Sequence, residues 1–189
     1  MRNDLDELLC VNFPKIFEQR NGDMTRTAMC WGFEHADGWY DILVALCTRI
    51  QHHIDFRQKQ RADALTYNSA VKLAKNGDMS ALFEYFKVED SKYIDWAQKM
   101  AQNSLESGER KVPEECPQVI AVQVKEKFGT LRFYYDGGDD YVRGLVSMAE
   151  WASAHTCETC GERGELRGTG WVYVSCNEHA KEEDKDNAQ

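Results

Sequence analysis

The chain has 189 residues, 42% of them hydrophobic, which is enough for one medium domain or a domain with a small appendage. Its formal net charge of −9 argues against nucleic-acid backbone as the main partner. No segment approaches the run of about 18 apolar residues that spans a bilayer, and the acidic start MRNDLDELLC lacks the apolar stretch of a secretory signal, so the sequence predicts no membrane association and no export.

Residues 4–20 read as a first helix through Leu5, Leu8, Leu9, Phe13, Ile16 and Phe17, broken or restarted at Pro14. Asn21-Gly22-Asp23 is a turn signal, and residues 24–38 read as irregular or extended, with Trp31 and Phe33 packed. The clearest helix follows, with Asp37 as its expected N-cap. Trp39, Ile42, Leu43, Leu46, Cys47, Ile50 and Ile54 recur at steps of three and four. Residues 62–75, 79–87 and 91–106 also read as helices, started at Asp78 and Ser91 in the last two cases. This middle is more polar than its flanks and reads as a helical excursion over about 60–110. Gly108 to Pro117 is a linker by composition.

The period then changes. Val119–Val124 and Thr130–Tyr135 are β-rich runs separated by Gly129, the pattern of a β-hairpin. Asp136-Gly-Gly-Asp-Asp140 ends the hairpin and caps a helix over about 140–155, with Leu145, Met148, Ala149 and Ala152 on one face. The expected class is α+β: a helical N-terminal part, a short antiparallel sheet and a C-terminal zinc-ribbon-like module. In domain terms that is a core over 1–155, a metal module over 156–180 and a disordered, highly charged tail over 181–189.

The metal module rests on spacing. Cys157 and Cys160 form one close pair, Cys176 and His179 the other, with fifteen residues between the pairs. Two such knuckles make a tetrahedral Cys₃His zinc set, and four protein ligands leave no open position, so the expected zinc is structural. Cys10, Cys30, Cys47 and Cys116 follow no framework spacing and read as free thiols of a reducing cytosol.

The hairpin carries the other candidate chemistry. Lys125, Lys127 and Arg132 lie near Phe128, Phe133, Tyr134 and Tyr135, so cations stand ready for phosphate and rings for a base. Lys125, Lys127, Arg132, Tyr134 and Trp39 are the expected ligand-binding residues. The same alternation also describes an ordinary half-buried hairpin with its aromatics in the core. His35, His52, His53 and His155 lack any H-E-x-x-H partner and read as ordinary packed or surface histidines, His155 beside the metal module. The paired carboxylates Asp139-Asp140 and Glu114-Glu115 supply no convergent two-metal set, and there is no phosphate-binding G-x-x-x-x-G-K or nucleophile elbow. No catalytic residue is assigned.

Three blocks together carry a resemblance: GWYDIL over 38–43, VKEKFGTLRFYY over 124–135, and the Cys157/Cys160 pair with its distal Cys176 and His179. They resemble a group of uncharacterised proteins encoded by tailed phages and prophages, over residues near 10–55 and 118–180. The resemblance implies a phage accessory protein acting in a bacterial cytoplasm and transfers no catalytic residues. The expected function is non-enzymatic: countering host defence by sequestering a small anionic, nucleotide-derived signal. The alternatives are an acidic adaptor or inhibitor that binds a host protein, and a metal-dependent hydrolase of nucleotides or nucleic acid. Homo-oligomer formation is left open.

Overall fold

The computed structural model describes residues 1–88, 92 and 94–185. The chain is α+β, with a three-stranded and a two-stranded sheet among the described residues. It divides into two compact units, one of Met1–Ile54 with Cys116 onward, the other Asp55–Glu115.

In the first unit, α1 (Asn3–Asn12) stops just ahead of Phe13, whose backbone is already non-helical at φ −129°, because Pro14 disfavours a helical residue before it. Leu9, Ile16 and Phe17 enter the core as expected, but Leu8 stays exposed. A 3₁₀ turn at Met29–Trp31 leads into β1 (Phe33–Glu34). Phe33 is buried, whereas Trp31 is 67% exposed, contrary to the expectation that both pack. The turn ends at Gly32, and the indole falls on its outer side.

The main helix does not start at an Asp37 cap. Asp37–Trp39 is a further 3₁₀ turn, and the Asp37 carboxylate instead takes the backbone N–H and guanidinium of Arg2. Helix α2 then runs from Tyr40 to Lys75 without a break, joining two helices that the sequence pattern separates. The connecting stretch, Asp55-Phe-Arg-Gln-Lys-Gln-Arg61, contains no glycine or proline and is rich in strong helix formers, so nothing stops propagation. The apolar stripe ends at Ile54 while the helix continues.

Strands β2 (Ile120–Lys127) and β3 (Thr130–Asp136) form the expected antiparallel hairpin, in register Val124↔Phe133, Lys125↔Arg132 and Lys127↔Thr130, with an irregularity between Ala121 and Gln123. Its two-residue turn, Phe128-Gly129, has φ of 54° and 78°, the double positive that a tight right-twisted hairpin requires. The short β1 pairs parallel to β2 on its other side. Two residues carry too little pattern to be read as a strand.

Helix α5 (Asp140–Ser153) is capped by Asp139, whose Oδ1 accepts the N–H groups of Tyr141 and Val142 at 3.1 and 3.2 Å. The face it buries is Val142, Val146, Ala149 and Ser153; Leu145, Met148, Ala149 and Ala152 share one face as expected, with Met148 68% exposed. Along the outer edge of β3, Leu131 N–H donates to Ser153 Oγ and Phe133 N–H to the Glu150 carboxylate, so α5 side chains close the free strand edge. The core holds Trp39, Leu43, Ile50, Ile54, Val124 and Leu131, all fully buried. Beyond α5, β4 (Glu165–Arg167) and β5 (Tyr173–Ser175) form a small antiparallel ribbon. Part of the expected disordered tail is ordered: Glu182–Lys185 makes one helical turn, α6. It is held where Tyr173 Oη donates to Asp184 Oδ2 at 2.7 Å and buried Arg167 donates to the Asp184 carbonyl. Residues 186–189 lie outside the described residues.

The second unit contains the rest of α2, α3 (Ser80–Tyr85) and α4 (Ile94–Ser107). Asp78 starts α3 as expected, accepting from Ser80 N–H at 3.0 Å, while Ser91, the other expected start, lies outside the described residues. The core here is small: Tyr67, Ala70, Val71, Ala74, Leu82 and Ala101. Residues 108–115 have no regular structure but are tied to α2. Asn68 exchanges two hydrogen bonds with the Arg110 backbone at 2.7 and 2.8 Å, and Arg61 donates to the Pro113 carbonyl. The Arg110 guanidinium lies 3.7 Å above the Tyr67 ring and donates to Asp63 and to the Tyr85 hydroxyl.

Candidate metal centre and hairpin surface

Two tight turns place the metal donors. In the first, Gly161 N–H donates to the Cys157 carbonyl at 2.9 Å, folding Cys157 and Cys160 onto one side. In the second, His179 N–H donates to the Cys176 carbonyl. The Cys160 and Cys176 sulfurs are 3.7 Å apart, Cys176 Sγ lies 3.1 Å from His179 Nδ1, and all four donor atoms fall within 4.8 Å of one another. Tetrahedral thiolates at a usual zinc–sulfur distance stand about 3.8 Å apart. The four residues therefore lie close enough to hold a metal ion, and the donor set is compatible with zinc.

The thiols themselves ask for a cation. Burial raises the Cys157 pKa, but N–H groups of Cys176, Cys160 and Thr159 aimed at its sulfur outweigh that and bring it down to about 7. At Cys160 the Glu162 N–H lowers the pKa, while burial and the neighbouring sulfurs prevail and raise it to about 11. A cation held between the Cys157 and Cys160 sulfurs would favour the thiolate form of both.

The knuckle is mortised into the first unit. Gly38 N–H donates to the Glu158 carbonyl at 2.7 Å, Ala36 N–H to the Glu158 carboxylate at 2.9 Å, and Trp39 Nε1–H to the Thr156 carbonyl at 2.9 Å. A Cβ at Gly38 would sit 2.1 Å from the Cys157 carbonyl oxygen and 2.5 Å from Gly161 N, so only glycine fits. The GWYDIL block and the Cys157/Cys160 pair thus meet in space. Trp39 is 0% exposed and spends its N–H here, so it is a core residue and not the stacking platform expected of it.

The other expected binding residues come together. On the outer face of the hairpin, Lys125 stands opposite Arg132, Lys127 opposite Thr130, and Gln123 opposite Tyr134. Alternation puts Lys125, Lys127, Arg132 and Tyr134 on this one face, with Val124, Leu131 and Phe133 buried behind it. The Lys125 ammonium is 5.8 Å from the centre of the Tyr134 ring. Among the described residues none of the three cations makes a salt bridge. Arg132 is braced locally, donating to Thr130 Oγ1 and the Leu131 carbonyl. Glu34 of β1 pairs with Lys125 in register and accepts from Gln123, placing one carboxylate at the margin.

Two residues at the end of this face were not foreseen as a pair. Phe128, in the turn, and Trp171, in the β4–β5 loop, are 70% and 78% exposed and line a cleft of about 230 Å³ with Lys127 and Gly170. Gly129 lets the hairpin turn lie close to the β4–β5 ribbon, since a Cβ there would meet the Leu166 side chain at 2.8 Å. No local signal links positions 128 and 171; an exposed tryptophan inside a metal loop is the nearest thing to one. No helix among the described residues is long and apolar enough to cross a membrane. No protein-family model matches this chain, and no curated protein and no solved structure is significantly similar to it.

Proposed function

We propose that the protein is a non-enzymatic binding protein, stapled by structural zinc, that sequesters a small anionic, nucleotide-derived ligand on the outer face of its hairpin. In this reading it is phage-encoded, works in the bacterial cytoplasm and counters host defence by removing a signal. The observation that carries the reading is the shared face of Lys125, Lys127, Arg132 and Tyr134, whose three cations have no ion-pair partner among the described residues. A cationic surface in a chain of net charge −9 attracts phosphate selectively, and Tyr134 together with the Phe128–Trp171 cleft offers rings for a base. The zinc closes the short β4–β5 ribbon, which is too small to hold itself together by burial.

Native mass spectrometry of the protein purified from a bacterial cytoplasm tests it. An added mass of nucleotide size, lost in Lys125→Ala with Arg132→Ala, is the expected outcome. A retained ligand unaffected by that double substitution would overturn the site. A second reading, an inhibitor of a host protein, is favoured by the exposed indoles of Trp31, Trp151 and Trp171, the side-chain type that anchors protein interfaces. One stoichiometric protein partner in a pull-down, with no small-molecule mass, would select it.

A further inference from the structure

A second cluster of donors lies outside the Cys157 centre. The imidazole of His53 on α2, the thiol of Cys116 ahead of β2 and the carboxylate of Asp139 at the start of α5 converge from three distant parts of the sequence. One donor atom from each falls within 4.8 Å of the others, with His53 Nε2 2.9 Å from Asp139 Oδ2. The cluster is held in place by contacts of its own. Asp139 uses Oδ1 to cap α5, which fixes the carboxylate and leaves Oδ2 turned to His53. The His53 ring lies against Tyr141, centroids 4.4 Å apart. The thiol side is closed, Cys116 being 2% exposed, whereas the imidazole and carboxylate are partly open to solvent.

The geometry points to a second divalent-metal site, of the zinc class, with His53, Cys116 and Asp139 as its three protein ligands and an open fourth position on the solvent side. The donor chemistry fits: imidazole, thiolate and carboxylate all suit zinc, and the two anionic ligands balance a dication. Three ligands with one open position distinguish this site from the closed set of four at Cys157, so it would take a water molecule where the other cannot. Binding is balanced in protons. The thiol releases one to solvent, and the imidazole stays neutral by carrying its hydrogen on Nδ1 while Nε2 meets the metal. The competing arrangement is a hydrogen-bonded cap, with thiol and imidazole both donating to the Asp139 carboxylate and no metal.

Native mass spectrometry after dialysis against zinc alone separates the two, comparing the full chain with Cys116→Ala and with His53→Gln. The expected result is one zinc fewer in each folded variant than in the parent. Equal zinc counts in parent and variants would overturn the site, as would a parent that binds no zinc at all. Because the readout is a difference, it holds whether or not the Cys157 centre is filled. His53→Gln, at the more exposed ligand, serves if Cys116→Ala fails to fold, and circular dichroism identifies which variants are folded.

Discussion

The unit built from Met1–Ile54 and Cys116 onward buries Trp39, Leu43, Ile50, Val124 and Leu131 in a broad core, whereas Asp55–Glu115 buries a small cluster of Tyr67, Val71, Leu82 and three alanines. Helix α2 runs through both, so the contrast is not one of local helix propensity. Large side chains fill the core of the first unit, and its Cys157–Cys160 knuckle is hydrogen-bonded to the 36–39 segment. The second has a core of fewer residues and closes its irregular segment with polar contacts around Arg110. Apolar area buried is the main source of stability, so the second unit is the one to open first by local unfolding.

The largest effect should come from the knuckle. Chelating the metal, or Cys176→Ser, is expected to cost the first unit about 4 kcal/mol or more, because metal binding energy is folding energy in a ribbon this small. Hydrogen exchange should show that loss in β4–β5 and the 36–39 segment, with helices α3 and α4 little changed. Uniform loss across both units would dissolve the contrast between them.

Gly38→Ala sets backbone against backbone, a Cβ 2.1 Å from the Cys157 carbonyl, and is expected to cost about 3 kcal/mol in urea unfolding. A near-neutral result would mean that the knuckle docks loosely. His35 gives a pH signature in the same unit. Burial pulls its pKa down from 6.5 to about 4, with Nδ1 bonded to the Ala36 carbonyl and Nε2 buried without a partner among the described residues. The unfolded chain therefore binds more protons across that range. Stability should be fully present above pH 6.5 and fall by about 3 kcal/mol as the pH drops to 4. His35→Phe, between Phe33 and Trp39, should flatten that part of the pH curve.

Smaller effects belong to the second unit and the surface. Arg110→Ala removes the cation over Tyr67 and the bonds to Asp63 and Tyr85, and should cost about 1 kcal/mol, seen as faster exchange in residues 55–115 alone. Lys125→Ala with Arg132→Ala should leave the unfolding free energy nearly unchanged, within about 0.5 kcal/mol, since neither side chain makes an ion pair among the described residues. A large loss there would assign those cations to folding and weaken the binding proposal.

Much of this was legible in sequence where the signal is local. The period-two runs gave β2 and β3, Asp139 announced α5, and the spacing of Cys157, Cys160, Cys176 and His179 placed four donors together. What escaped is non-local. The pairing of β1 with β2 rests on two residues, the joining of α2 on the mere absence of a breaker, and the convergence of His53, Cys116 and Asp139 on chain folding across 86 positions. Trp31 was misplaced because apolar character alone does not say which side of a turn faces inward. Trp39 was given two roles by its sequence context, and burial leaves it one.

The closed edge of β3 has a consequence for assembly. With the N–H groups of Leu131 and Phe133 taken by Ser153 and Glu150, that stretch of the strand offers an added chain fewer free donors to pair with. Substituting Ser153 or Glu150 would free those donors, so the helix side chains act as a guard against cross-β addition at this edge.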